Sequence, residues 1–375
     1  MRVLYLLRYY PTLTETFVNN EIGGVLASGV PVTVASLGSR ADAALAAELP
    51  AAPVLRVPRH PLRGRLQPET PGQRWLAQHQ RRKDVARLPW LAHHAEGFDR
   101  AHVHFAGEAA EVAHALRLDT GLPYTVTVHA ADLFKPRPSL TEVLAGADAV
   151  LTVSEHNARL VRARLDAAGA GAVPVWLVRC GPDTRFWTPC PLPPGPLRAL
   201  FVGRPVPKKG LDVLLEAWRG LDRPDARLDL VTELAEGAAL PSGARALGLM
   251  PPRRVRAAMG EANLFVLPCR AAPDGDLDGV PVSIMEAMAS GRPVISTPVS
   301  GVPELLADNP ERPTLGDQQV GWLVPPDDPL ALADALRAAT ATARAERGAA
   351  APDRLWQRGF TLADQVAGVL SAWGA

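Results

Sequence analysis

The chain alternates short apolar runs with helical patterns, stops in a proline-dense stretch, and then starts the same alternation again. Val3–Leu7, Val32–Leu37, Ala101–Phe105, Tyr124–Val128 and Ala149–Val153 read as strands, with Ala109–Leu116 and Glu155–Leu165 as helices between or after them. Alternation of this kind predicts βαβ units and a parallel sheet. Trp187 to Pro196 holds five prolines and reads as a linker. Beyond it Leu200–Val202, Arg227–Val231, Leu264–Pro268 and Val294–Thr297 read as strands, and Leu211–Trp218 as a helix. At 375 residues two domains are expected. The predicted fold class is α/β, with two doubly wound, Rossmann-like halves on either side of a cleft. The predicted division is residues 1–185, a linker at 186–198, a second domain at 199–350, and a helical end at 351–375. That last stretch, read as a helix over Leu355–Leu370, could pack against either half, including the N-terminal one.

Composition narrows the class. Hydrophobic residues make up 47% and charged residues 21%, which is globular, and a net charge of +1 argues against a nucleic-acid binder. Cys180, Cys190 and Cys269 are scattered and odd in number, which disfavours a disulfide framework and suits a cytoplasmic protein. No stretch reaches the length of a membrane span, and the apolar run within Met1–Arg8 is too short for a signal peptide. Residues 56–90 hold nine Arg or Lys against Glu69 and Asp84. They read as a solvated surface, or as a peripheral contact with anionic lipid at the inner face of a membrane or with a phosphorylated acceptor.

The chemistry concentrates in Gly275–Gly291, GDLDGVPVSIMEAMASG. Pro281 suits a first helical turn and Gly291 a stop. Between them Ser283, Glu286 and Ser290 share one helical face, and Ile284, Met285 and Met288 the other. Free N–H groups at such a helix start, at Val282 and Ser283, attract phosphate. A carboxylate beside them, Glu286, suits the hydroxyls of a ribose or sugar, and Asp278 lies in the loop just before. The pattern fits a sugar nucleotide. Asp274–Gly279 also begins like a calcium loop, but position twelve is Met285 rather than a glutamate, and a strand reads before it in place of a helix.

A second constellation, Phe201 to Gly210 (FVGRPVPKKG), follows the first strand of the second half. Open α/β sheets bind ligands at such a carboxyl end. It lacks the Gly-Lys-Ser/Thr ending of a P-loop. Arg204 and Lys209 could instead clamp a diphosphate and stabilise charge developing on it as it leaves, which would make a metal unnecessary. A third segment ends a strand with His129, a position that favours a cleft. His102 and His104, inside a strand, read as structural.

Together these segments resemble the retaining glycosyltransferases of family 4, with the GT-B fold, and within them the colanic-acid and exopolysaccharide branch. Tyr10–Ile22, Thr152–Glu155, Cys180–Asp183, Ser300–Leu305 and Gly321–Val324 continue the resemblance. It implies a nucleoside-diphosphate sugar as donor and a glycan, lipid-linked or small-molecule acceptor, with no metal or cofactor. It makes the first domain acceptor-binding and the second donor-binding. Glu286 would bind the ribose, Asp278 the donor sugar's hydroxyls, and Arg204 and Lys209 the diphosphate. His129 would sit beside the transferred sugar, and Thr14, Glu15 and Thr16 would form an acceptor-side loop. Asp278 stands where the family usually has Glu, and Val231–Leu234 replaces a glycine-rich turn. Two other readings stay open: a silent GT-B protein that binds nucleotide for a partner enzyme, and a nucleotide-sugar epimerase.

Overall fold

The computed structural model describes residues 1–12, 15–38, 52–58 and 67–375. It divides into two compact units: Met1–Val153 with Asn157–Arg179 and Ala363–Ala375, and Ser154–His156 with Cys180–Leu362.

The first unit is built on a sheet of β1 (Val3–Leu7), β2 (Val32–Ser36), β3 (Val54–Arg56), β4 (Arg100–His104), β5 (Tyr124–Val128), β6 (Ala149–Thr152) and β7 (Val175–Leu177). The strand order is β3-β2-β1-β4-β5-β6-β7, and every described pair is parallel. Its central strands are buried end to end, as a parallel sheet covered on both faces requires. The strand pleat sorts side chains by parity. Ala101 and Val103 of β4 enter an apolar core with Leu4, Leu6 and Val126, against Ala109, Val112 and Leu116 of the Glu108–Thr120 helix. His102 and His104, one step out of phase, take the opposite face.

The second unit repeats the plan with β8 (Arg198–Val202), β9 (Arg227–Val231), β10 (Ala244–Ala246), β11 (Leu264–Leu267), β12 (Val294–Ser296), β13 (Gly316–Gln318) and β14 (Gly321–Leu323). The order is β10-β9-β8-β11-β12-β14-β13, parallel except for the β13–β14 hairpin.

The division differs from the sequence expectation at both ends of the second unit. The proline stretch at 186–198 is a packed strap of that unit, with Trp187 and Leu197 buried. Prolines leave carbonyls without matching N–H groups, and buried side chains from elsewhere supply them. Arg292 donates to the Cys190 carbonyl at 2.9 Å and the Pro191 carbonyl at 3.2 Å, and Asn263 to the Pro193 and Pro196 carbonyls at 3.2 and 2.9 Å. At the other end the expected single helix is two, Ala341–Gln357 and Leu362–Trp373, broken at Gly359 in the left-handed region with φ 68°. Only Ala363–Ala375 joins the first unit.

The basic segment is also less free than its composition implies. Arg81 pairs with Asp84 at 2.6 Å, Glu108 at 2.8 Å and Glu111 at 3.3 Å, while Lys83 reaches Glu108 at 2.8 Å and Arg87 reaches Asp84 at 3.2 Å. Arg59, Arg63 and Arg65 lie outside the described residues. No helix among the described residues is long and apolar enough to cross a membrane.

Candidate functional site

In the second sheet, β9 and β11 flank β8 on opposite sides, so the chain reverses its direction of winding there. Ligands of open α/β sheets bind outside the carboxyl ends of strands at such a point. The turn after β8 closes as a short 3₁₀ segment, Pro207–Lys209, followed by Gly210 at φ 63°. A Cβ on Gly210 would lie 2.0 Å from the Pro268 carbonyl oxygen, so glycine alone lets this turn rest on the segment after β11. Arg270 fastens the two together. Its backbone N–H donates to the Lys208 carbonyl at 3.0 Å and its Nε to the Pro207 carbonyl at 2.8 Å.

This clasp gathers the charges. Lys209 Nζ lies 2.7 Å from Asp278, and Lys208 Nζ lies 3.1 Å from Asp276 and 3.3 Å from Asp278. Burial alone would raise the Asp278 carboxyl, but the Lys209 and Lys208 ammoniums hold it below the usual range. The loop therefore spends Asp276 and Asp278 on lysines, and β11 rather than a helix precedes it, which is not a calcium-loop arrangement. Beside them the Cys269 thiol is pushed up to about 12, first by burial and then by Asp278. Arg204 is exposed and forms no ion pair among the described residues.

The helix after this loop runs Val282–Ala289, one residue later than expected: Pro281 is its N-cap, in an extended conformation at φ −63° and ψ 127°. Gly291 ends it in the left-handed region at φ 75°. Ile284, Met285 and Met288 are fully buried, whereas Val282, Ser283 and Glu286 are partly exposed. The first N–H groups of any helix lack intrahelical partners, which leaves donors for an anion at Val282 and Ser283. Glu286 is recessed among protein atoms, and the loss of water there pushes its carboxyl up to about 7. Among the described residues no donor reaches that carboxylate.

This predicts a pH signature. A carboxyl raised from 4.5 to about 7 binds a proton in the folded state across that window, and the stability this confers is lost as pH rises through about 7. A ligand whose hydroxyls donate to the carboxylate favours the ionised form, so nucleotide binding near pH 7 should release protons from Glu286. Calorimetry of a nucleoside diphosphate in buffers of different ionisation enthalpy should show this release. Glu286→Gln should abolish it and weaken binding. Equal proton release in both proteins would remove Glu286 from contact with the ligand.

In the first unit His129 ends β5 and caps the short Ala130–Phe134 helix, its backbone N–H donating to Asp132 Oδ2 at 2.9 Å. Its side chain is 9% exposed and lies beside the rings of Phe105 and Phe17, at centroid distances of 4.4 and 5.0 Å. Burial, with His104 adding to it, holds the imidazole well below its ordinary pKa, so it is neutral at pH 7. His129 Nε2 meets His104 Nδ1 at 3.2 Å. Thr16 opens the Thr16–Ala27 helix and Glu15 precedes it; Thr14 lies outside the described residues.

Residues 14–186 match the family described as Glycosyltransferase Family 4, and residues 196–341 match Glycosyl transferases group 1. The first half of the chain thus matches family 4, and the second half a further glycosyltransferase group. Among relatives of this chain, the amylovoran biosynthesis glycosyltransferase AmsK of Erwinia amylovora is 39% identical over 150 residues, 37% of this chain and 34% of that protein. WcaL of Escherichia coli, named for colanic acid biosynthesis, is 33% identical over 214 residues, 54% of this chain and 50% of that one. The chain thus spans half or less of these curated relatives. Anabaena HepE, solved with UDP and glucose, superposes with a TM-score of 0.74 at 15% identity, covering 100% of this chain and 99% of that one. A trehalose-phosphate synthase from Burkholderia vietnamiensis gives 0.66 at 14% identity, with 100% of each chain covered. These likenesses give the fold, which is GT-B.

Sequence reasoning passed over Lys208 and Glu21, and it read His104 as structural. Lys208 sits beside Lys209 in a polar turn, and nothing in the string says that both ammoniums converge on one carboxylate. Glu21 did carry a signal: it shares a helical face with Val18, Ile22 and Val25, all buried.

Proposed function

We propose that this protein is a retaining, metal-independent glycosyltransferase that moves a sugar from a nucleoside-diphosphate sugar to a glycan, lipid-linked or small-molecule acceptor. The observation that carries the reading is Glu286: a recessed carboxylate with no donor among the described residues, on the helix that follows a loop whose Asp278 is held by two lysines. An acceptor-only group in that setting suits a pair of hydroxyls, and the ribose of the donor supplies them. Lys209 and Arg204 neutralise the diphosphate as it departs, with Lys208 beside them. Asp278 turns its carboxylate to the donor sugar's hydroxyls, and His129 meets the transferred sugar as a neutral imidazole. The departing phosphate helps take the acceptor's proton on the same face, which keeps the anomeric configuration. The basic segment at 56–90 spends Arg81, Lys83 and Arg87 on carboxylates, so the reading leans on a sugar-bearing acceptor rather than on a lipid surface.

The test is release of nucleoside diphosphate from a panel of UDP, GDP, dTDP and ADP sugars, beginning with UDP-glucose because HepE is described with it. Slow donor hydrolysis without acceptor, equal in EDTA and in magnesium, is the expected result. Activity lost in EDTA and restored by magnesium would sink metal independence. Nucleotide binding without hydrolysis of any donor would favour the silent-partner reading instead.

A further inference from the structure

The first unit carries a line of ionisable groups that the proposed reaction leaves unused. The Thr16–Ala27 helix turns Glu21 into the protein with Val18 and Ile22, leaving it 1% exposed. A buried carboxylate without partners is strongly destabilising, and here polar donors surround it. Oε1 accepts from the Tyr5 hydroxyl at 2.9 Å and from His104 Nε2 at 2.9 Å, with His102 Nε2 at 3.5 Å. Oε2 accepts from the Gln365 amide at 2.7 Å. Burial alone would raise the Glu21 carboxyl, but His104 and His102 hold it well below the ordinary range.

We propose that Glu21 is a positioning residue: through His104 it sets which imidazole nitrogen of His129 carries the proton. The inference rests on the reading of His129 given above. A carboxylate only accepts, so His104 Nε2 must hold a hydrogen. Taken as the neutral ring, His104 donates through Nε2 and accepts through Nδ1, and the group facing that nitrogen is His129 Nε2, 3.2 Å away. His129 is thereby fixed as the Nε2–H tautomer, with Nδ1 left as an acceptor. The two rings lie nearly parallel, 26° apart with centroids at 5.5 Å, and Phe105 and Phe17 box in the far ring. His102 also borders Glu21, but its Nδ1 lies 2.7 Å from Thr125 Oγ1, to which Trp373 Nε1 donates at 3.0 Å, and its Nε2 lies 3.2 Å from Thr127 Oγ1, so neither nitrogen is placed on His129. The line therefore runs from Glu21 through His104 alone.

Glu21→Gln breaks it in a defined direction. Gln365 already donates to Oε2, so the new amide that keeps its oxygen there turns its NH₂ toward His104 and the Tyr5 hydroxyl, which then accepts instead of donating. His104 must then accept through Nε2 and donate through Nδ1, and His129 must move its proton to Nδ1. Nitrogen-15 spectra of histidine-labelled protein read this directly. Wild type should show His129 as Nε2–H and Glu21→Gln as Nδ1–H. Turnover should fall about 10–100-fold, as misplacing a reacting group does, with affinity for free UDP unchanged. Should Glu21→Gln not fold, His104→Asn reads the same link from its other end and should leave His129 a mixture of tautomers. An Nδ1–H wild type, or a His129 spectrum indifferent to these changes, overturns the proposal. So does stoichiometric zinc in the isolated protein, because Glu21, His102 and His104 place their ligand atoms within 4.8 Å of one another and would then be metal ligands. A spectrum that shifts while turnover holds would instead overturn the role given to His129 in the reaction.

Discussion

Lys209→Ala should lower turnover by roughly 10²–10³-fold while the protein stays folded. A departing diphosphate gathers negative charge, and a cation already fixed where that charge appears stabilises the transition state more than the ground state. Lys209 is fixed: its Nζ sits 2.7 Å from Asp278, on a turn fastened to the segment after β11 by Arg270 and Gly210. Arg204→Ala belongs in the same experiment. Arg204 is exposed and holds no ion pair among the described residues, so its loss disturbs no internal charge balance. Lys208→Ala should differ from both. Its side chain is 8% exposed and sits against Asp276 and Asp278 together, so its removal takes a buried counter-charge from both, with Lys209 still on Asp278, and lowers stability as well as rate. Steady-state kinetics paired with thermal melts separates these cases. Wild-type turnover in Lys209→Ala would reduce the turn to an ordinary basic loop.

The parts of the fold that sequence reveals are those where burial dictates pattern. β1 and β5 lie where their runs of buried residues place them, because a strand covered on both faces needs such a run. β3, β7 and β10 are three-residue strands at or near the sheet edges with exposed side chains, and so few residues carry no periodicity. The proline strap misled for a related reason. Its composition is that of a free linker, and what holds it is Arg292 and Asn263, some seventy to a hundred residues away. The site divides the same way. Glu286 follows from helical spacing alone, whereas the joining of Glu21 to His104 crosses 83 residues and appears only once strand and helix pack. Local rules place side chains on faces, and tertiary packing decides which faces meet.

Asp278 gives the sharpest expectation, because the structure adds a second role to the one its motif implies. It neutralises Lys209 and Lys208, and in the proposed reaction it also accepts from the donor sugar. Free nucleoside diphosphate has no sugar, so only the first role touches it. Asp278→Asn removes a charge that competes with the diphosphate for both ammoniums, so free nucleotide should bind as tightly as in wild type or more tightly. Turnover should move the other way. A hydrogen bond to a charged group contributes about 1.5–3 kcal/mol, so losing one to the sugar should slow the reaction roughly 10–100-fold. Asp278→Glu keeps the charge and restores the acid usual in the family, one methylene longer. That change should leave the lysines paired and alter the fit to the sugar, shifting preference between donors by about 1–3 kcal/mol. Donor hydrolysis across several nucleotide sugars, with calorimetry of the free nucleotide, measures both arms for all three proteins. Tighter nucleotide binding with slower turnover in Asp278→Asn is the outcome that ties the two roles together. Identical rate profiles in wild type and both variants would confine Asp278 to its ion pairs, and the sugar contact would have to be sought on another residue.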